Sequence, residues 1–194
     1  MKKLVFLLVL VFTSPVLAQE ATLINGEIES GGFGGPVLKV TNINGESAVM
    51  VGGRGGWIIN HSFVLGGGGY GLVTDVKAKT TDLLHQYIEM GYGGLDIEYI
   101  ASSNDLLHLS IGLLVGGGGI GYKMDNNDLL METYKKNSFF VLEPSVYANL
   151  NVTHFFRVAA GVSYRSVSGL SSVVSTNADL SGPSANLVLK FGAF

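Results

Sequence analysis

Three side chains near the middle of the chain are of the types that hydrolysis requires: Glu98, His108 and Ser110. A serine hydroxyl becomes a nucleophile when a histidine takes its proton and a carboxylate orients that histidine. His108 and Ser110 are two residues apart, so on an extended strand both project from one face. A three-residue turn at 103–105 would set Glu98 opposite Ser110 and diagonal to His108. The same kind of position is held by Arg54, Asp96, Glu143, Tyr147, Arg157 and Arg165, with Lys39 a further candidate: each occupies the polar phase of an otherwise apolar stretch. Charges so placed point into an interior, where they must find partners. His61 and His154 fall in turns and His85 in a loop, with no spacing that suits a metal, so neither a metal nor a cofactor is expected. Gly66–Gly71 (GGGGYG) and Gly116–Gly121 (GGGGIG) formally contain the dinucleotide fingerprint. That fingerprint needs a following helix inside a βαβ unit, and neither is signalled. Glycines there let strands bend and let side chains from across a narrow barrel approach the wall.

The elements that must position these groups are clearest from Phe139 to Arg165, FFVLEPSVYANLNVTHFFRVAAGVSYR. Phe140, Leu142, Pro144, Val146, Ala148, Leu150 and Val152 are apolar, while Glu143, Ser145, Tyr147, Asn149 and Asn151 between them are polar or amphipathic. Such a period of two is that of a strand. After a break at 152–154 the alternation resumes with Phe156, Val158, Ala160, Val162 and Tyr164 on one side. Two long strands therefore meet at a tight turn, and a turn of three residues would place Glu143 opposite Arg165. Reading the chain in the same way gives strands at 33–41, 47–60, 63–74, 87–101, 106–122 and 184–194 as well, eight in all. Short turns at 60–62, 102–105 and 152–154 alternate with loops at 75–86, 123–138 and 166–183; only the loop at 42–46 is short.

Composition narrows the class. Lys2 and Lys3, the apolar run from Leu4 to Phe12 and Val16-Leu17-Ala18 read as a signal peptide over 1–18, with a polar leader over 19–32. Beyond the signal the chain has ten basic and fifteen acidic residues, which argues against a nucleic-acid partner, and it has no cysteine to form a disulfide. Mean hydropathy is positive, +0.38, yet no run long enough for a spanning helix follows the signal. A membrane β-barrel reconciles these facts, because it spreads apolar residues over alternate positions and needs no continuous run. The expectation is an all-β chain with the barrel over 33–194: an eight-stranded antiparallel transmembrane β-barrel with up-and-down meander topology. Trp57, Tyr99, Phe156 and Tyr164 would form its aromatic girdle. An eight-stranded barrel has an interior that side chains fill, so the charged set reads as a plug rather than a channel.

The signal peptide, the eight strands, the stretch EPSVYANLNVTHFFRVAAGVSYR and the ending LKFGAF together resemble the small eight-stranded outer-membrane β-barrel proteins of Gram-negative bacteria, the OmpA/OmpX-like architecture. That resemblance implies an integral protein of the outer membrane, in contact with its lipid and lipopolysaccharide, with a structural or surface-interaction role carried by its external loops. It also implies recognition by the barrel-assembly machinery through Phe191 and Phe194, although Leu187, Leu189 and Phe191 alternate in a different phase from Phe194. The glycine-rich face is a candidate surface for a homo-oligomer. Two other readings compete. One is an outer-membrane lipid-modifying hydrolase using His108, Ser110 and Glu98; against it, those residues sit beside a periplasmic-side turn and point inward. The other is an exported soluble barrel binding a small apolar ligand, which needs an apolar interior and a polar outside.

Overall fold

The structure is a computed structural model and describes residues 29–78, 86–124, 137–170 and 175–194. The signal peptide, residues 19–28 of the leader, His85 and parts of the three long loops lie outside the described residues. The period-two stretches become strands β1 (Ser30–Ile43), β2 (Glu46–Ile59), β3 (Phe63–Leu72), β5 (Gln86–Ile100), β6 (Leu107–Met124), β7 (Asn137–Thr153), β8 (Phe156–Ser168) and β9 (Gly182–Ala193). A two-residue strand, β4 (Val76–Lys77), extends the edge of β5, and a four-residue helix, α1 (Asn177–Leu180), sits between β8 and β9.

Neighbours follow the order β3-β2-β1-β9-β8-β7-β6-β5, and pairing of β3 with β5 closes the ring. The result is an eight-stranded antiparallel meander barrel, whose closure leaves no sheet edge along its wall. Pro36 and Pro144 lie inside β1 and β7, and each interrupts the ladder on one side only. Pairing of β1 with β9 skips 35–36, and pairing of β7 with β8 skips 143–144. A residue without an N–H can hold its place in a sheet only where a rung is given up.

Turn chemistry sets the two ends. Asn44 and Gly45 join β1 to β2 with φ of 58° and 85°, the paired positive values of a two-residue type I′ hairpin. Asn60 and His61, at 49° and 52°, begin the turn into β3. His154 and Phe155 separate β7 from β8, with a register shift between Asn151 and Thr153 that absorbs one residue. That bulge preserves the expected register farther along the strands, where Ser145 pairs Ser163 and Leu142 pairs Ser166. The turn after β5 is longer than expected, covering 101–106, so Glu98 pairs Gly112 and Ser110 pairs Ile100. Boundaries differ elsewhere too: β1 begins at Ser30, drawing in part of the polar leader, β3 stops at Leu72, β6 continues to Met124, β8 runs on to Ser168 and β9 begins at Gly182.

The barrel is built inside out relative to a soluble one. Outward positions such as Leu109, Ile111, Phe140, Val146 and Val162 are exposed, whereas inward Lys39, Glu98, Glu143, Arg165 and Lys190 are each 2 % exposed or less. An apolar wall around a charged interior needs an apolar solvent outside it. The interior is also layered. At the loop end Ile43, Met50, Val76, Ile120, Phe139 and Leu180 belong to the larger apolar cluster. At the turn end Phe33, Ile58, Val64 and Ile100 form a second, with Phe194 packed against it. Most of the charged groups lie between the two.

Candidate functional site: the charged lumen

Two carboxylates organise the middle of the lumen. Glu98, on β5, accepts from Arg54 Nη2 on β2 at 2.7 Å, from Lys190 Nζ on β9 at 2.9 Å and from Ser110 Oγ on β6 at 2.5 Å. Asp96 flanks it and pairs with the same Arg54 nitrogen at 2.6 Å. Asn149 then closes a ring, donating to Ser110 Oγ at 2.8 Å and accepting from Lys190 Nζ at 3.0 Å. Glu143, on β7, receives Lys39 Nζ from β1 at 2.5 Å, Tyr92 Oη from β5 at 2.6 Å and Ser163 Oγ from β8 at 2.5 Å. Each carboxylate thus gathers donors from three other strands, so each cross-braces the ring.

Charge-assisted hydrogen bonds of this kind are stronger than neutral ones, and the low local dielectric makes an incomplete network costly. Aromatic faces complete the packing. Lys39 Nζ lies 3.7 Å from the Tyr70 ring centroid, and the Arg54 guanidinium 5.2 Å from that of Tyr147. Between the two hubs is a cavity of about 10 Å³, roughly the volume one water needs.

Arg54, Asp96, Glu98, His108, Glu143, Tyr147, Arg157 and Arg165 all lie buried inside the ring, as does Lys39. Their partners differ from two expectations. Glu143 does not pair with Arg165. Although the register sets them opposite, Arg165 reaches toward the loop end, where its Nε donates to the Leu180 carbonyl at 2.7 Å. Lys39, from a strand that does not adjoin β7, takes the carboxylate instead. Nor does Glu98 stand across from Ser110, since the longer turn moves Gly112 there; the two still meet, because both point inward two residues apart in register.

The triad geometry is not assembled. The Ser110 hydroxyl donates to Glu98 and not to His108, whose Nδ1 lies 3.1 Å from the Asp105 carbonyl oxygen. Without a histidine taking the serine proton there is no activated nucleophile.

The sequence reading put Asn149 on the polar face without giving it a role, and it missed Lys190, Asn186 and Tyr92. Lys190 carried a usable signal, since it occupies the phase opposite Leu187, Leu189 and Phe191. Tyr92 carried a weaker one: it shares the phase of Asp96 and Glu98, but Gly91, Gly93 and Gly94 around it blur the alternation. With Lys190 and Lys39 included, five lumen cations meet three carboxylates among the described residues. Arg165 resolves its share through carbonyls, and the Arg157 guanidinium lies 4.1 Å from the Phe194 ring centroid.

On the outside, Trp57, Phe63, Tyr99, Phe156 and Phe191 stand near the turn end; Phe63 meets Tyr99 with ring centroids 5.2 Å apart, and Phe156 stacks on Phe191 at 4.8 Å. Tyr164 and Phe140 stand toward the loop end. Phe194 lies on the inner side against Phe33, which accounts for its separate phase.

No protein-family model matches the chain, and no curated protein matches it in sequence. Solved structures do. Neisserial surface protein A (NspA) aligns over 87 % of this chain and 99 % of its own, with a TM-score of 0.56 at 10 % identity. The fold is that of the small outer-membrane barrels. The N-terminal β-barrel domain of Pseudomonas aeruginosa OprF aligns over 84 % of this chain and 96 % of its own, at TM-score 0.53 and 13 % identity. Ail, the attachment invasion locus protein of Yersinia pestis, covers 86 % and 99 % at TM-score 0.50 and 14 % identity. In outer-membrane barrels of this kind short turns face the periplasm and longer loops the outside, which assigns the turns at 60–62, 101–106 and 154–155 to the periplasmic end and the opposite, loop end to the exterior.

Proposed function

We propose that this chain is an integral outer-membrane protein with a sealed, non-conducting lumen, and that its role is structural or surface-directed through the external loops. The observation that carries this reading is the filling of the interior. Apolar clusters occupy both ends, two braced carboxylates occupy the middle, and the cavity between them is about 10 Å³. Such an interior serves as a core, which holds the wall rigid while the loops at one end meet the surroundings. The carboxylates of the interior are occupied by its cations and hydroxyls, although Arg54 Nε, His108 Nε2 and Asn186 Oδ1 have no partner among the described residues, and the apolar exterior does not suit a soluble ligand carrier. Outer-membrane lipid and lipopolysaccharide are the immediate partners of the wall, and the assembly signal falls to the terminal segment with Phe191 and Phe194.

The test is reconstitution into lipid vesicles. Small sugars should enter vesicles containing folded protein no faster than protein-free ones, and the protein should migrate differently on a denaturing gel before and after boiling. Rapid sugar entry at intact folding would overturn the sealed lumen; recovery in the soluble periplasm would overturn the membrane assignment.

A further inference from the structure

We propose that the wall formed by β2, β3 and β5 holds one diacyl glycerophospholipid of the periplasmic leaflet, with an acyl chain in a groove above the 60–62 turn and the headgroup at that turn. This rests on the membrane reading above. The groove has a volume of about 430 Å³ and is lined by Ile59, Phe63, Leu65 and Ile97, with Asn60 and Ser62 at its lower end. Its size falls in the range of small-molecule sites, roughly 300–1,000 Å³.

Its polarity is graded as an amphiphile's is. The polar side chains are confined to the turn, level with Trp57, Phe63 and Tyr99, aromatic residues of the type that marks a membrane interface. Everything above them is apolar.

Farther up β3 the outward side chains disappear. Gly67 and Gly69 pair with Gly55 and Gly53 on β2, and Gly69 and Gly71 pair with Gly93 and Gly91 on β5. Inward glycines on these strands are dictated by the fold: a Cβ on Gly52, Gly66, Gly94 or Gly116 would collide with the carbonyl oxygen of Gly69, Gly55, Val115 or Gly93. Of the outward ones, Gly55 and Gly93 are blocked as well, by the Phe33 oxygen at 2.7 Å and the Gly68 oxygen at 2.6 Å, and Gly67 is tight at 3.2 Å, but Gly53, Gly69 and Gly71 are not. A Cβ on Gly69 would meet its nearest atom at 3.9 Å, one on Gly53 at 3.5 Å, and one on Gly71 nothing within 4 Å. Packing within the chain therefore leaves Gly53, Gly69 and Gly71 unexplained, and what they shape is the outer surface, where with their glycine neighbours they prolong the groove into a smooth track.

The occupant follows from shape and continuity. The groove is cut into the wall that the bilayer already covers, so an acyl chain reaches it without leaving its leaflet. A second copy would meet this convex wall with another convex wall, whereas a flexible acyl chain follows it.

Native mass spectrometry of protein extracted in mild detergent tests this, with Ile97→Trp to fill the groove and Val146→Trp as a matched change on the exposed face of β7. Wild type and Val146→Trp should retain one glycerophospholipid, and Ile97→Trp should lose it at least tenfold. Equal retention by Ile97→Trp, absence of phospholipid from wild type, or an adduct that is lipopolysaccharide or a second copy would overturn the proposal. The heat-shift gel, run on all three proteins, reports the barrel itself, so failure of the membrane reading is seen separately.

Discussion

Lys39 and Glu143 are 104 residues apart in the chain and 2.5 Å apart in the lumen, and the interaction between them is the sharpest residue-scale claim of the fold. Removing one partner of a buried pair strands the other charge, a loss of about 3–5 kcal/mol when the site is dry. Glu143→Ala should therefore lower the unfolding midpoint markedly, since it also strands Tyr92 and Ser163. A double-mutant cycle separates the pairs: contacting residues couple by about 0.5–3 kcal/mol. Lys39/Glu143 should show such a coupling in urea unfolding, and Glu143/Arg165 a smaller one. A larger coupling for Glu143/Arg165 would restore the pairing suggested by register alone. Here the limit of sequence reading is physical. Alternation told that Glu143, Arg165 and Arg54 share the inner face, because a strand has only two faces. It could not tell which charge each one reaches, because lysine and arginine span a narrow barrel and choose partners from strands that are not neighbours.

At the scale of elements, α1 behaves as a latch on the external end. Its capping box is formed by Thr176 and Asp179, each bonding the other's backbone N–H, which compensates for its being only four residues long. Leu180 is fully buried in the larger apolar cluster, and its carbonyl is held by Arg165. Asn44 binds the same segment through its own N–H to the Asp179 carbonyl at 2.7 Å. Arg165→Ala should release this segment without opening the barrel. Amide hydrogen exchange at Asp179 and Ser181 should rise at least tenfold while strand amides stay protected; unchanged exchange there would show that Leu180 and the backbone contact from Asn44 hold the latch without Arg165. Nothing in the Ser-rich run from Ser166 announced an inward-folding helix, since a single capped turn has no periodicity to detect. The strands were legible wherever apolar and polar residues alternate, as from Phe139 to Arg165. They were least legible in the glycine runs of β3 and β6, where both faces lack side chains and only cross-strand pairing reveals which glycine points inward.

For the whole molecule, the decisive feature of the proposed seal is that its layers lie in series. An external apolar layer under α1, a charged middle braced by Glu98 and Glu143, and a periplasmic floor of Phe33, Ile58, Val64, Ile100 and Phe194 follow one another down a single narrow bore. The layers share strands, β1 and β2 contributing to all three, but each is built from its own side chains, so loss of one need not loosen the next. Eight strands enclose a space that side chains of ordinary size fill, which makes the middle layer a barrier in its own right. Replacing residues 176–181 with a Gly/Ser linker should therefore leave vesicles as tight to small sugars as those holding the native protein, even though the external mouth has lost its cover. Adding Lys39→Ala and Glu143→Ala to that linker variant removes the upper brace and should raise sugar entry only modestly, because the Glu98 ring and the floor still stand beneath. If the linker replacement alone made the vesicles leak, α1 would be the sole closure and the braced lumen no barrier, and the protein would have to be regarded as a pore with a cap.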